Sequence, residues 1–409
     1  MTGTAAVTGT AAVTGIGIVA PTGAGNDEFW KRTVAGQSAL AVVPGLDRAD
    51  ATVAGRVDFA AVSAAVPTRI TVQTDRWTQL ALAAAQWALD DARLDPGSLD
   101  DYELGVVTAS SSGGNEFGQR EMQKLWGQGP KHVGAYQSIA WFYAASTGQL
   151  SIQHGARGPC GVLVSEQASG LDALGQARRE IRAGTRVMLC GGTEAPMSPY
   201  ALLCQAASGR LSRVDDAFRA YLPFDEAASG HVPGEGGAVL VVESAASATA
   251  RGRPGYGVVA GYAATFDPAP GSGRPPGLAR AIRGALSDAG VVAGDIDVVF
   301  ADAAGTPELD RAEAAAIRAV FGPHGVPVTA PKAGTGRLYA GAGTLDVATA
   351  LLALRAGVIP PTPQVSRVPA EFGLDLVVAD PRPAPLRTAL VLARGEGGFN
   401  SAVVMQSAG

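Results

Sequence analysis

GPCGVLVSEQASGLDALGQARREIRAG, residues 158–184, joins a strand pattern to a helix pattern in a single run. Its first part, GVLVS at 161–165, is a short apolar run of the kind that forms a buried strand. Its second part repeats apolar residues at Leu171, Leu174, Ala177 and Ile181, the spacing of one helix face, and Gly184 is placed to end that helix. A strand that turns straight into a helix leaves Glu166–Ala168 at a helix N-terminus. Unsatisfied N–H groups and the helix dipole there lower a thiol's pKa and favour a reactive thiolate. The residue at that spot is Gln167, an amide, which is not a nucleophile but can donate and accept hydrogen bonds.

Outward from this segment, apolar runs alternate with Ala-rich helical stretches. Strands are expected at 13–20, 104–109, 161–165, 186–192, 238–243, 296–304 and 389–394, and helices at Trp77–Arg93, Leu171–Ala183 and Asp310–Phe321. Such alternation is the signature of an α/β protein with buried sheets. RGRPGYG (251–257) separates two stretches that each open with a strand, so a pseudo-duplicated chain is expected, with halves at 1–252 and 253–409. DPAPGSGRPPG (267–277) and GVIPPTPQVSRVPA (357–370) read as surface connections. Gly15 and Gly17 lack the third glycine of a dinucleotide fingerprint, and no Gly-Lys-Ser/Thr phosphate loop occurs.

The chain of 409 residues has a net charge of −5, with 17% charged residues, and a mean hydropathy of +0.15. A typical soluble domain carries about 25% charged residues, so this composition points to surface buried against a partner. Mild acidity argues against a nucleic-acid partner, which needs a basic face. No apolar run approaches the roughly 18 residues of a membrane helix, and the N-terminus, with TGTAAV repeated at 2–7 and 8–13, has no basic region of a signal peptide. Cys160, Cys190 and Cys204, without glycosylation sequons, fit a reducing cytoplasm. His132, His154, His231 and His324 show no metal-ligand spacing, so no metal is expected.

The elbow resembles that of β-ketoacyl synthases of the thiolase fold, in which the catalytic cysteine holds the place of Gln167 ahead of Ala168-Ser169-Gly170-Leu171-Asp172. With glutamine in that context, the chain looks like a chain length factor, the ketosynthase β-subunit of type II aromatic polyketide synthases. Two further motifs carry the same likeness. Asp302 replaces the first catalytic histidine in Asp302-Ala303-Ala304-Gly305-Thr306, followed by Asp310 and Glu313. Arg337 replaces the second, five residues after a retained Lys332. LPFDEAASGHVPGEGGAVLVVE (222–243) and GEGGFNSAVV (395–404) resemble further family stretches, with Ser229, His231 and Glu396 as departures, Glu396 standing where active synthases carry a gating phenylalanine. The resemblance spans about residues 12–405. It implies a five-layered αβαβα thiolase fold and, because decarboxylative condensation needs a thiolate and two imidazoles, a subunit that does not condense.

The resemblance also implies a catalytic ketosynthase α-subunit as partner, an acyl carrier protein that brings its own phosphopantetheine, a growing polyketide in a shared tunnel, and no cofactor. Floor-setting tunnel positions fall at Asn115, Gly118, Met122 and Ile139. Trp141, Phe142, Tyr143 and the strand carrying Val162 and Val164 are expected at the dimer seam. The small set of tunnel residues implies a comparatively long product. Gln167 reads either as a hydrogen-bonded filler or as an oxyanion-type donor for malonyl decarboxylation, and a scaffolding homodimer is a further rival. Asp302 and Arg337 are expected as a buried ion pair that keeps the old pocket shut. Asp310 and Glu313 read as solvated or capping groups, and Lys332 as a structural residue held by loop carbonyls. None of the three cysteines reads as catalytic.

Overall fold

The computed structural model describes residues 9–43, 52–269 and 271–408. The first TGTAAV copy lies outside them, and the second runs into a fully buried strand, β1 (Ala11–Ala20). Ten further strands continue the main sheet: β2 (Leu104–Ala109), β3 (Cys160–Leu163), β4 (Val187–Glu194), β5 (Gly236–Ser244), β6 (Gly257–Phe266), β7 (Val298–Phe300), β8 (Pro327–Thr329), β9 (Asp375–Leu376), β10 (Thr388–Gly395) and β11 (Phe399–Ser407). Their order is β9-β8-β7-β10-β11-β6-β1-β5-β4-β2-β3, with the short Gly23–Ala24 paired back on β1.

Apart from the short edge strand β9, the order is the same read outward from the centre in either direction. On one side β1, β5 and β4 are antiparallel neighbours and β4, β2 and β3 run parallel. On the other side β6, β11 and β10 are antiparallel and β10, β7 and β8 run parallel. β1 and β6 join the two sets through Ala12↔Val258 and Val13↔Gly257.

Helix α1 (Arg76–Ala92) covers the outer face of β1, β5 and β4; α2 (Asn115–Gln128) follows β2, and α3 (Ser169–Arg182) follows β3. On the other half α4 (Leu278–Ala289) covers β6 and β11, with α5 (Pro307–Phe321) beside it. α3 and α6 (Ala340–Ala356) pack on each other and on strands of both halves, which makes them the middle of five layers. The sequence of α6, AGAGTLDVATALLALRA, suits that place because it is apolar all round and is buried from Ala340 to Leu354. α3 meets it at glycines: a Cβ on Gly170 would lie 2.8 Å from the Thr344 nitrogen.

Two expectations need correction. The strand read at 296–304 stops at Phe300, because the N–H groups of Asp302 and Ala303 go to the Glu313 carboxylate instead of a neighbouring strand. The 357–370 stretch is not all surface: Ile359–Pro363 is buried, tied by Thr362 Oγ1, which accepts from the Ala330 N–H at 3.0 Å. Among the described residues no helix is long and apolar enough to cross a membrane.

Candidate functional site

Loops that leave the parallel strands on both sides of the sheet converge on one cavity of about 570 Å³. β3 ends at Leu163, and the chain turns through Ser165, whose N–H is taken by Ser169 Oγ at 2.6 Å, into the one-turn helix Glu166–Ala168 and then α3. Glu166 sits at φ 53°, in the left-handed region that side chains rarely adopt. This tight elbow points the Glu166 carboxylate into the cavity wall and turns Gln167 inward, fully buried. Neither amide atom of Gln167 finds a hydrogen-bond partner among the described residues, so it is not the hydrogen-bonded filler that was expected. It does not line the cavity either.

Asp302 and Arg337 form the buried pair, Arg337 Nη1 lying 3.3 Å from Asp302 Oδ2. Glu166 completes a triad: its Oε2 lies 3.7 Å from Arg337 Nη2. The guanidinium also donates to the Arg394 carbonyl at 2.9 Å, and Asp302 Oδ1 accepts the Arg394 N–H at 3.0 Å. Burial pulls the Arg337 pKa down, but Asp302 and Glu166 outweigh it and hold the group charged. Burial pushes Asp302 up, while Arg337, Lys332 and the Arg394 N–H leave it below the usual range. The pair forms as read, yet the pocket is not shut, since both residues line the open cavity.

His231 and Tyr339 also line the cavity. Tyr339 donates to Gln205 Oε1 at 2.6 Å and faces His231 Nε2 at 3.3 Å. Burial, with Arg337 and Arg210 nearby, drives the His231 pKa well below its ordinary value, so this imidazole is neutral. Glu396 forms an ion pair with Arg210, and its N–H donates to Glu166 Oε2 at 2.9 Å. Cys204 lines the same cavity, Cys190 is buried in β4, and Cys160 is exposed on β3.

Asp310 and Glu313 are not solvated. Both are buried and staple the 302–305 loop: Asp310 accepts from Phe224 and Gly305, each at 2.9 Å, and Glu313 from Asp302 at 2.7 Å and Ala303 at 2.9 Å. Burial raises both carboxyls to about 7. Lys332 is held by the buried Asp346 carboxylate, not by loop carbonyls.

Of the expected tunnel positions, only Asn115 lines the cavity. Gly118 lies further along α2, with the Trp141 Cβ 3.6 Å from where its own Cβ would be. Met122 and Ile139 are 46% and 43% exposed, and Trp141, Phe142 and Val164 are exposed with them, while Val162 is half-buried. β3 pairs only with β2, so its other edge is open among the described residues. Glu166, Arg394 and the Tyr339–Gln205 contact escaped the sequence reading. The first was legible in principle, as the neighbour of Gln167 in a turn that must face the old pocket.

Two family models match the chain: β-ketoacyl synthase, N-terminal domain, over residues 10–248, and β-ketoacyl synthase, C-terminal domain, over residues 256–366. The chain is 56% identical over 397 residues to the tetracenomycin polyketide synthase ketoacyl synthase β subunit of Streptomyces glaucescens, covering 96% of this chain and 97% of that one. To the α subunit of the same synthase it is 34% identical over 404 residues, covering 95% of each. The solved ishigamide ketosynthase/chain length factor superposes with a TM-score of 0.89 at 27% identity, covering 98% of this chain and 99% of that one. With thiolase-type architecture, the elbow and its three substituted positions already in view, the greater likeness to a β than to an α subunit decides the branch: the chain belongs to the β-ketoacyl synthase family, among the ketosynthase β subunits of polyketide synthases.

Proposed function

We propose that this chain is the non-condensing half of a ketosynthase heterodimer in the cytoplasm, where it shapes the tunnel that sets the length of a polyketide. One observation carries the reading: the buried Arg337–Asp302 pair stands where condensation needs two imidazoles, behind an elbow that offers Gln167 in place of a thiol. A guanidinium held charged and a carboxylate held ionised cannot exchange protons with an enolate near neutral pH, and an amide forms no thioester. The growing chain therefore stays on the partner's cysteine, fed by an acyl carrier protein, and this subunit contributes walls. The exposed Trp141, Phe142 and Val164, together with the open edge of β3, supply an apolar surface for an α-subunit. The halves 1–252 and 253–409 are the two members of the duplicated fold, and Asn115, Gly118, Met122 and Ile139 are the measuring positions.

The decarboxylase rival gains nothing from the geometry, because the Gln167 amide is outside the cavity lining. The test is reconstitution of the chain with its ketosynthase, carrier protein and malonyl donor. Gly118→Trp is expected to shorten the product, since the added ring enters space beside Trp141. An unchanged product length would discard the assignment of the tunnel.

A further inference from the structure

Helix α2 starts without a cap of its own. Its N-cap residue is Gly114, which has no side chain to accept from the first-turn N–H groups. Nor can that position take Ser, Thr, Asp or Asn, the residues that cap best. A Cβ on Gly114 would lie 2.0 Å from the Ala140 carbonyl oxygen. The close approach that packs the 137–143 segment against the start of α2 thus forbids a local cap.

The cap comes from another element. Asp75, buried at the head of α1, places Oδ1 3.1 Å from the Trp77 nitrogen and Oδ2 2.7 Å from the Phe117 nitrogen. One carboxylate therefore closes the N-termini of two helices, one oxygen each. Burial raises its pKa to about 6, against the pull of the Phe117 and Trp77 N–H groups. The loop just before α2 is tied in the same manner, since Glu194 accepts from the Ser112 hydroxyl at 2.7 Å.

We propose that Asp75 is a positioning residue for chain length: it fixes where α2, with Asn115, Gly118 and Met122, stands against the core. This inference rests on the tunnel reading above. Asp75 touches no part of the cavity; it acts through the backbone of Phe117, two residues from Asn115.

The experiment uses the full chain in complex with its ketosynthase. Asp75→Ser retains one oxygen, enough to cap α1 but not to serve both helices; Asp75→Asn keeps the size and turns one acceptor into a donor. First-turn amides of α2 should exchange hydrogen about tenfold faster in both variants, equivalent to about 1.4 kcal/mol of local opening. In Asp75→Ser, α1 amides should keep their protection. The product should spread from one length to several. Faster exchange with an unaltered product overturns the role in length, and unaltered exchange overturns the shared cap. Loss of the complex in both variants also overturns the proposal, because Asp75 is then needed for folding alone. Gly118→Trp in the same assay separates the two readings. If that variant shifts product length and the Asp75 variants do not, only the Asp75 proposal fails; if it does not, the tunnel reading fails and takes this one with it.

Discussion

At the scale of single residues, the site is a set of charges that hold one another in place of a reaction. Arg337 is the pivot, facing Asp302, Glu166 and the Arg394 carbonyl from a buried position. A buried pair adds little net stability over an apolar replacement, because desolvation offsets the attraction, but removing one partner strands the other charge. Arg337→Ala is therefore expected to lower unfolding free energy by about 3–5 kcal/mol, whereas the double variant Asp302→Leu with Arg337→Met loses less than that single change. Urea denaturation of the three proteins checks this, and losses that simply add would contradict it. Asp302 and Arg337 could be paired from sequence because each stood at a position where a motif led one to look for histidine. Glu166 and Arg394 could not, since their roles depend on an unusual φ and on where a strand from the far end of the chain passes.

At the scale of elements, the central crossing of α3 and α6 depends on glycines that look ordinary in sequence. Gly170 faces backbone: its added Cβ would meet Thr344 N at 2.8 Å and Ala340 O at 3.0 Å. Gly148, in the helix Ala145–His154, has nothing within 4 Å of the same point. Gly170→Ala should cost about 1–3 kcal/mol, because backbone on a packed helix cannot step aside. Gly148→Ala should be neutral or stabilise by about 0.5–1 kcal/mol through helix propensity alone. Thermal unfolding of the isolated chain distinguishes them, and equal effects would mean the crossing has slack that the backbone distances deny. No propensity scale separates these two residues, since both lie in helices; only the partner element does. The helices α1, α3 and α5 were legible to within a few residues from apolar spacing. The fate of Asp302 and Ala303 was not, because Glu313, on the following helix, competes for their N–H groups.

At the scale of the whole molecule, alternation of apolar runs announced the α/β class, but nothing local told that β1 and β6 would meet and make one sheet of the two halves. The folded core also buries carboxyls, Glu194 at the end of β4 and Asp310, Glu313 and Asp346 on helices, at a cost that pH can read. Burial raises Glu194, Asp310 and Glu313 to about 7 and Asp346 to about 6, from ordinary values of 4.5 for Glu and 3.8 for Asp. An acid whose pKa is higher in the folded state binds its proton more tightly there, so its contribution is fully present below the ordinary value and is lost as pH rises through about 7. Other groups run the other way, among them Asp302, held below its usual range, and His231, held neutral. The stability of one protein therefore mixes both signs, and the difference between two proteins isolates one carboxyl. Glu313→Gln keeps an acceptor for the 302–303 loop and removes the titration. Between pH 5 and pH 7.5 the wild type should lose stability relative to this variant, seen as a steeper fall in the urea midpoint. Parallel midpoints across that range would show that Glu313 titrates at its ordinary value, and that the loop carrying Asp302 is wetter than its burial implies.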